Sequence, residues 1–218
     1  MTSGFIKTIF SRLIRLCCVT FKKKSVTLKE KIRILISSFE ILNKEEVEII
    51  VEKTIVGKFK KGTLLLKEGQ IPTKCYMVVE GCVREYLIKD GEEKSTAFFM
   101  EGDTFTPHSQ DSKPSKHYWE CVEDCILTIS DSSFEEKIRA ALPRLDAVFQ
   151  KIAIEKINKA KEEWSQFITS SPEERYLNLL ETKPVLLNRI PQHQIASYLG
   201  MKPQSLSRIR KRLLSNKS

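Results

Sequence analysis

The sequence predicts an α+β protein: an antiparallel β-roll, of the double-stranded β-helix or jelly-roll-like type with flanking helices, followed by a long helix and a helical C-terminal domain. Glycines divide residues 58–129 into short apolar segments at strand-and-turn intervals of roughly 7 to 12 residues. Helical periodicity returns after Ser130. Near the C-terminus, residues 190–213 carry several Lys and Arg side chains and no acidic one. These three observations set the order of the parts.

The composition favours a globular protein with an anionic partner. Of its 218 residues, 41% are hydrophobic, which is enough to fill the core of one large domain or two modest ones. Lys and Arg outnumber Asp and Glu by 37 to 28, and the resulting charge of +9 favours nucleic acid or an anionic membrane surface. The six cysteines form no Cys-x-x-Cys pair, and no apolar run approaches the ~18 residues of a membrane span. We therefore expect reduced thiols, no transmembrane segment and a cytoplasmic location.

Residues 1–24 form a basic, amphipathic N-terminal extension. Apolar residues from Phe5 to Leu16 recur at helical spacing, with basic residues such as Lys7 and Arg12 between them. The pattern fits a helix lying on a membrane, a helix packed on this protein or on a partner subunit, or an extension upstream of the folded unit. The charges inside the apolar run argue against a signal peptide.

Residues 25–135 are expected to form the roll, which would be a sensor domain. An eight-stranded double sheet closes such a roll naturally. The Asp90-Gly91 step predicts a tight hairpin turn. In the strand before it, Val83 and Glu85 alternate with Arg84. Six segments look like strands: TLLLKE, CYMVVE, CVREYLIK, STAFFM, HYWECV and CILTIS.

Residues 136–169 are expected to form a connecting and dimerisation helix. Ser132 and Glu135 predict a capping box at the helix before it, and Pro143 is suited to the first turn of the long helix. The apolar positions follow a three-four rhythm that drifts toward Ile168. Such a helix either packs on its own domain or pairs with its twin in a homodimer.

Residues 170–218 predict a helix-turn-helix domain that begins with a helix at Pro172. Gln192 starts the first helix of the motif, Gly200 lies at the turn, and Pro203 starts the second helix. Gln and Arg side chains suit base edges in the major groove, and Ser and Lys suit phosphates, although a solvated basic face is the alternative. The residues that we predict to bind DNA are Gln192, Gln204, Ser205, Ser207, Arg208, Lys211 and Arg212.

From about Leu28 to Leu213, the order of roll, long helix and helix-turn-helix resembles the Crp/Fnr family of transcription regulators, the family of the cyclic-AMP receptor protein. The resemblance implies a homodimer that binds double-stranded DNA through a winged-helix-like domain, with RNA polymerase as a further partner. It also places Gln204 and Arg208 where the family reads bases. Two departures stand out: Lys202 replaces a small hydroxyl residue at the helix cap, and no β-hairpin wing is evident before Ser218.

The sensing site departs further from the family pattern. Members that bind cyclic nucleotides carry Gly-Glu and, about ten residues later, Arg followed by Ser or Thr, which clamp the phosphate and the ribose. Here Thr106-Pro107 stands in the place of Gly-Glu, and the nearby positive charge comes from Lys113, Lys116 or His117. We expect no cyclic AMP binding of the usual kind. The candidate pocket for an unidentified small-molecule effector comprises Thr106, Pro107, Lys116 and His117.

The sequence offers no ligand set for haem, an iron–sulfur cluster or another metal, so no cofactor is expected. It also contains no phosphate-binding glycine loop, nucleophile elbow or His-Glu-x-x-His motif, so we do not expect an enzyme. Two other classes stay open: a ligand-binding signalling module whose C-terminal helices dock a protein, and a membrane-peripheral adaptor that uses residues 1–24. Salt-dependent, sequence-selective binding to duplex DNA distinguishes a regulator from both.

Overall fold

The computed structural model describes residues 26–39, 42–106 and 113–215, and these contain eight helices and eight strands. The chain divides into two compact units, residues 1–51 and 52–218. The predicted extension over residues 1–24 and the candidate effector residue Pro107 lie outside the described residues.

Two helices account for the described part of the first unit: α1 (Leu28–Ser37) and α2 (Lys44–Lys53), whose last two residues cross the unit boundary. A capping box opens α1, in which Thr27 Oγ1 accepts a hydrogen bond from the Glu30 amide and the Glu30 carboxylate accepts one from the Thr27 amide. Arg33 Nη2 donates to Glu48 Oε2 at 2.9 Å, which ties α1 to α2.

The roll consists of two four-stranded antiparallel sheets with strand orders β1-β8-β3-β6 and β2-β7-β4-β5. The predicted eight-stranded roll is confirmed. Its strands are β1 (Ile55–Phe59), β2 (Leu64–Leu66), β3 (Cys75–Glu80), β4 (Val83–Lys89), β5 (Glu92–Phe99), β6 (Thr104–Phe105), β7 (Tyr118–Cys121) and β8 (Cys125–Ser130).

Each of the six segments predicted as strands overlaps one strand, and β5 begins three residues before its predicted segment, whereas β1 and β6 were not predicted. The two residues of β6 are too few to show a period, and β1 has no fully buried residue that would mark an inward face. The predicted hairpin turn joins β4 to β5, where Lys89 pairs with Glu92. Asp90 and Gly91 have φ values of 55° and 76°, as a two-residue turn of this kind requires.

An apolar core fills the space between the two sheets. Phe105 lies at its centre, with ring centroids 5.3 Å from Tyr76, 4.7 Å from Phe99 and 5.0 Å from Trp119. The buried members of this core are Leu66, Tyr76, Val78, Val83, Phe105, Trp119, Cys121, Cys125 and Leu127. Cys121 and Cys125 are therefore packing residues, as expected for cysteines on strands.

Six helices follow the roll: α3 (Ser132–Ala141), α4 (Leu145–Thr169), α5 (Pro172–Thr182), α6 (Leu186–Arg189), α7 (Gln192–Tyr198) and α8 (Pro203–Ser215). The predicted capping box at Ser132 is wrong, because Ser132 is already helical and the Asp131 side chain accepts the hydrogen bond from the Phe134 amide at 2.9 Å. Pro143 lies just before α4 rather than in its first turn. The start of α5 at Pro172 is confirmed.

A second core joins the roll to the C-terminal helices. Phe99 packs into the roll, so its neighbour Phe98 faces the other side of β5. Phe98 and Cys82 are buried there against apolar residues of α5 to α8. These residues are Tyr176, Leu179, Leu186, Ile190, Ile195, Ala196, Leu199, Leu206 and Ile209. The C-terminal helices therefore pack directly on the roll.

Candidate nucleic-acid interface

The turn of the helix-turn-helix motif is built around Gly200. Its φ of +68° lies in the left-handed region, which glycine adopts without steric cost. The Met201 amide donates to the Ala196 carbonyl at 2.9 Å, which closes the end of α7. Ala196 itself is fully buried where α7 and α8 pack together. The sequence-based assignment of Gln192, Gly200 and Pro203 to the two helices and their turn is confirmed.

Replacing Gly200 by alanine is expected to lower the free energy of unfolding by about 1–2 kcal/mol, because a Cβ atom is strained at positive φ. That atom would also lie 3.2 Å from Arg175 Nη1. Chemical denaturation would measure the loss. Gly91→Ala is the matched control, since Gly91 also has positive φ but has nothing within 4 Å of the added Cβ. A smaller loss for Gly200→Ala than for Gly91→Ala would contradict the role of the crowded turn.

Arg175 of α5 holds the turn of the motif in place through hydrogen bonds. The sequence analysis did not predict this role. Its Nη1 donates to the Leu199 carbonyl at the end of α7, at 3.2 Å, and its Nε donates to the Phe167 carbonyl in α4, at 3.0 Å. The guanidinium carbon lies 4.0 Å from the centre of the Phe167 ring. One side chain thus connects the long helix to the turn.

The second helix of the motif, α8, has one buried face and one free face. Leu206 and Ile209 are buried on its inner face. Positions three and four residues apart lie on the same side of a helix, so the exposed residues share one surface. We call this surface the basic face of α8; it comprises Gln204, Ser207, Arg208 and Lys211.

The other three residues predicted to bind DNA lie away from the basic face of α8 or are engaged elsewhere. Gln192 is exposed at the start of α7, and Ser205 is half-buried. Arg212 forms an ion pair with Glu173 of α5, so part of its charge is already balanced. The structure thus brings four of the seven residues together on one surface.

The first helix of the motif, α7, lies against the edge strand β5. The Ser95 amide of β5 donates to Ser197 Oγ at 3.0 Å, and Ser197 Oγ donates to the Glu93 carbonyl at 3.2 Å. The ring of Tyr198 contacts the edge of Phe98 at a centroid distance of 5.4 Å. The free edge of the sheet therefore holds the first helix of the motif.

Arg189 at the end of α6 links the C-terminal helices to two carboxylates of the roll. Its Nη1 and Nη2 donate to the two carboxylate oxygens of Glu101, both at 2.9 Å, and its Nε donates to Glu123 at 3.1 Å. Burial acts to raise the pKa of Glu101, but the hydrogen bonds from Arg189 outweigh it and hold that pKa below its ordinary value. This bidentate pair stays charged at neutral pH.

The effector-pocket candidates are only partly brought together. Thr106, at the end of β6, and Lys116 are exposed, whereas His117 is half-buried. His117 Nδ1 lies 3.6 Å from Oε1 of Glu85, a buried carboxylate that sequence reasoning missed. Its burial could have been predicted from the sequence, because Glu85 lies two residues after the core residue Val83 and therefore on the same face of β4.

Glu85 belongs to a polar network inside the roll. Its carboxylate accepts hydrogen bonds from Trp119 Nε1 at 3.0 Å and from Thr96 Oγ1 at 2.7 Å. Arg84, the next residue along β4, faces the opposite side of the sheet and is 1% exposed. Its guanidinium donates to Ser95 Oγ at 2.8 Å and to Glu93 at 2.6 Å. The roll therefore has an acid on its inner face and a paired arginine on its outer face.

No cluster of three or more His, Cys, Asp or Glu side chains in residues 26–39, 42–106 and 113–215 is arranged to hold a metal ion. No helix within the same residues is both long enough and apolar enough to cross a membrane.

Comparison with known proteins agrees with this architecture. Residues 56–140 match the model of the cyclic nucleotide-binding domain family. No curated protein sequence matches the chain significantly.

Among solved structures, FixK2 from Bradyrhizobium japonicum is similar with a TM-score of 0.63 at 19% identity, over 75% of this chain and 86% of that one. A CooA mutant from Carboxydothermus hydrogenoformans gives a TM-score of 0.59 at 18% identity, over 81% of this chain and 83% of that one. The catabolite activator protein of Thermus thermophilus gives 0.51 at 20% identity, over 82% and 87% of the two chains. At these identities the similarity shows the fold. Residues 56–140 thus match the cyclic nucleotide-binding domain family, and the chain shares its fold with FixK2, CooA and the catabolite activator protein.

Proposed function

We propose that the protein is a transcription regulator of the Crp/Fnr type, which binds double-stranded DNA sequence-specifically as a homodimer. The observation that carries the proposal is the basic face of α8: Gln204, Ser207, Arg208 and Lys211 are exposed together while the apolar face of the same helix is buried. Gln and Arg can each make two hydrogen bonds to a base edge in the major groove, and Lys suits phosphates. RNA polymerase is a further proposed partner.

The long helix α4 supports a homodimer. Of its 25 residues, all of which are described, only Leu145 and Val148 are buried. Beyond them Ile154, Ile157, Trp164 and Ile168 are each more than half exposed. With Lys161 between them, these residues follow a spacing of three, four, three and four, the heptad pattern of a helix that pairs with another helix. We call Ile154, Ile157, Trp164 and Ile168 the apolar stripe of α4.

A twin helix is the partner that best matches this stripe, because a two-fold axis brings the same residues of two copies together. A two-fold dimer would present two α8 helices to the same side of a DNA duplex. Their separation would be about 34 Å, one turn of DNA, so the expected operator is a near-palindrome with half-sites one turn apart.

The direct test is binding of the full chain to duplex DNA selected from a random pool. The selected site should be bound at least about 1,000-fold more tightly than scrambled DNA at physiological salt, and affinity for both should fall steeply as salt rises. Fluorescence anisotropy at several salt concentrations would measure both quantities. Equal affinity for selected and scrambled DNA would show that the binding is non-specific and would contradict sequence recognition. Absence of any DNA binding would overturn the whole proposal.

We further propose that the roll does not bind cyclic AMP in the usual manner of its family. A cyclic phosphate needs a guanidinium or a similar cation on the inner face of the roll. Arg84 is the one arginine between residues 52 and 130, and it faces outward to Glu93 and Ser95. Inside the roll, the carboxylate of Glu85 would repel a phosphate. An effector of different chemistry, against Thr106, Lys116 and His117, is compatible with this site.

Calorimetry with cyclic AMP and with cyclic GMP should accordingly show no saturable binding up to about 100 μM, a free energy weaker than about −5.5 kcal/mol. The Glu85→Gln variant is a useful companion, because it removes the repelling charge but supplies no cation. Micromolar binding of either nucleotide to the wild-type protein, accompanied by a change in DNA affinity, would refute this part of the proposal.

A further inference from the structure

The contact between the helix-turn-helix motif and the roll is not close-packed throughout. A polar cavity of about 340 Å³ lies where the roll meets α6 and α7, and Glu120, Arg189 and Gln194 are among its lining residues. Oε1 of Gln194 is buried without a hydrogen-bond partner among the described residues. Because protein interiors are normally close-packed with their polar atoms paired, this contact restrains the orientation of the motif less tightly than a fully packed core would. A second restraint comes from the long helix α4.

The C-terminal end of α4 meets the motif at Phe167. All residues from 153 to 166 are exposed, whereas Phe167 is half-buried. The Phe167 ring lies close to the turn of the motif, since a Cβ atom added at Gly200 would be 3.4 Å from its Cζ atom. Only Ser170 and Ser171 separate α4 from α5. The orientation of the motif relative to α4 therefore depends on a short connection and on the contacts around Phe167.

Arg175 connects the ends of two helices at this place. The last four carbonyl groups of a helix have no donor within it, and the amide of Ser171, four residues after Phe167, donates to a side chain instead. Arg175 Nε donates to the Phe167 carbonyl at 3.0 Å. Just after α7, the Leu199 carbonyl is followed four residues later by Pro203, which has no N–H group. Arg175 Nη1 donates to this second carbonyl at 3.2 Å.

One guanidinium group thus replaces two missing amide donors, and its chemistry suits that role. Its planar fork holds several N–H groups at fixed angles, so two of them reach carbonyls of different helices. Its positive charge lies at the negative ends of both helix dipoles. Its central carbon lies 4.0 Å from the centre of the Phe167 ring, which stacks on the Trp164 ring at a centroid distance of 6.2 Å. Trp164 belongs to the apolar stripe of α4, so these contacts extend to the surface of the proposed dimer.

We propose that Arg175 is a positioning residue, which fixes the orientation of the helix-turn-helix motif relative to α4 and, through the two-fold axis, relative to the second motif of the dimer. In the proposed dimer, the two motifs bind half-sites one DNA turn apart, so a change in their orientation misplaces one of them. A single half-site needs one motif only and does not depend on this orientation. The inference rests on the proposed function and names the residue that sets the relation between its two DNA-binding surfaces.

The test compares the selected operator with a duplex of about ten base pairs that carries one half-site. Arg175→Lys keeps the positive charge but loses the planar fork, so one ammonium group replaces two aligned donors. This variant should bind the operator at least about tenfold more weakly and the half-site less than about threefold more weakly. Fluorescence anisotropy would measure both affinities, and sedimentation should show that the variant is dimeric like the wild type.

Arg139→Lys is the matched control, because it makes the same replacement at an exposed position of α3, where Arg139 pairs with Asp146. It should leave both affinities unchanged. Phe167→Leu is a second variant, which removes the ring but keeps the backbone carbonyl, and it should also weaken the operator more than the half-site. When it is combined with Arg175→Lys, the loss should be smaller than the product of the two single losses, because both changes disrupt the same contact.

Equal weakening of the operator and the half-site by Arg175→Lys would show that Arg175 only stabilises the motif, and it would overturn the inference. Unchanged binding of both duplexes, or a loss of the dimer, would overturn it as well. If Arg175→Lys does not fold, the ratio of the two affinities in Phe167→Leu decides alone. A wild-type protein that binds no DNA would remove the proposed function and this inference together, whereas wild-type binding with an unchanged ratio in the variants would remove the inference only.

Discussion

Replacing Ile157 by glutamate should convert the protein to a monomer and remove high-affinity operator binding. Ile157 lies in the apolar stripe of α4, and its side chain is 57% exposed in the single chain. In a two-fold dimer the two glutamates would be buried opposite each other, which combines unpaired charge with like-charge repulsion. We expect a cost of at least about 3 kcal/mol, more than 100-fold in the dimer dissociation constant.

Sedimentation at micromolar concentration would measure the assembly, and anisotropy would measure DNA binding. Gln166→Glu is the matched control, because Gln166 is exposed on the side of α4 away from the apolar stripe. A dimer that persists in Ile157→Glu would show that α4 is not the interface. A wild-type protein that stays monomeric with and without DNA would contradict the proposed homodimer.

Arg208→Ala and Lys211→Ala should weaken DNA binding in different ways. Arg208 is one turn beyond Gln204 on the basic face of α8, within reach of base edges, whereas Lys211 is nearer the end of the helix and suits the phosphate backbone. Arg208→Ala should cost about 1–3 kcal/mol on the selected site and flatten discrimination at one base pair. Lys211→Ala should weaken all duplexes alike and reduce the salt dependence by about one ion.

The two variants serve as controls for each other, since both remove one exposed positive charge from the same face. Affinities for the selected operator, for single-base variants of it and for scrambled DNA would be compared at several salt concentrations. If Arg208→Ala weakened selected and scrambled DNA equally, Arg208 would be a phosphate contact and the base-reading role inferred from family resemblance would be wrong. Arg212 is less informative here because it also pairs with Glu173.

Sequence signals predicted helix starts and turns well where the conformation of one or two residues determines them. The turn glycine at Gly200 and the helix starts at Pro172 and Pro203 follow from backbone restrictions of single residues, and all three are confirmed. The Asp90-Gly91 hairpin is another such case. By contrast, β1 and β6 show no visible period and were missed. They are strands because they pair with distant strands, which their own sequence does not reveal.

Among the residues of the candidate sites, those that are close in sequence could be predicted and those brought together from distant segments could not. The basic face of α8 could be predicted because Gln204, Arg208 and Lys211 are close in sequence and a helix places them on one side. The partners of Arg189 could not, since Glu123 and Glu101 are 66 and 88 residues away along the chain. Gln194 offered no signal either, because its unpaired buried acceptor exists only once the roll covers α7.

The order of the parts could be predicted because periodicity and turn chemistry act over a few residues. These parts are a glycine-divided roll, a long amphipathic helix and a basic helix-turn-helix. By contrast, two features are visible only in the folded chain: the helix-turn-helix packs on the edge of β5 through Ser95 and Ser197, and a polar cavity forms beside it. Both depend on which surfaces of distant segments meet. That choice follows from burial of Phe98 and Cys82 against the C-terminal helices, a free energy spread over many contacts and not encoded at any single position.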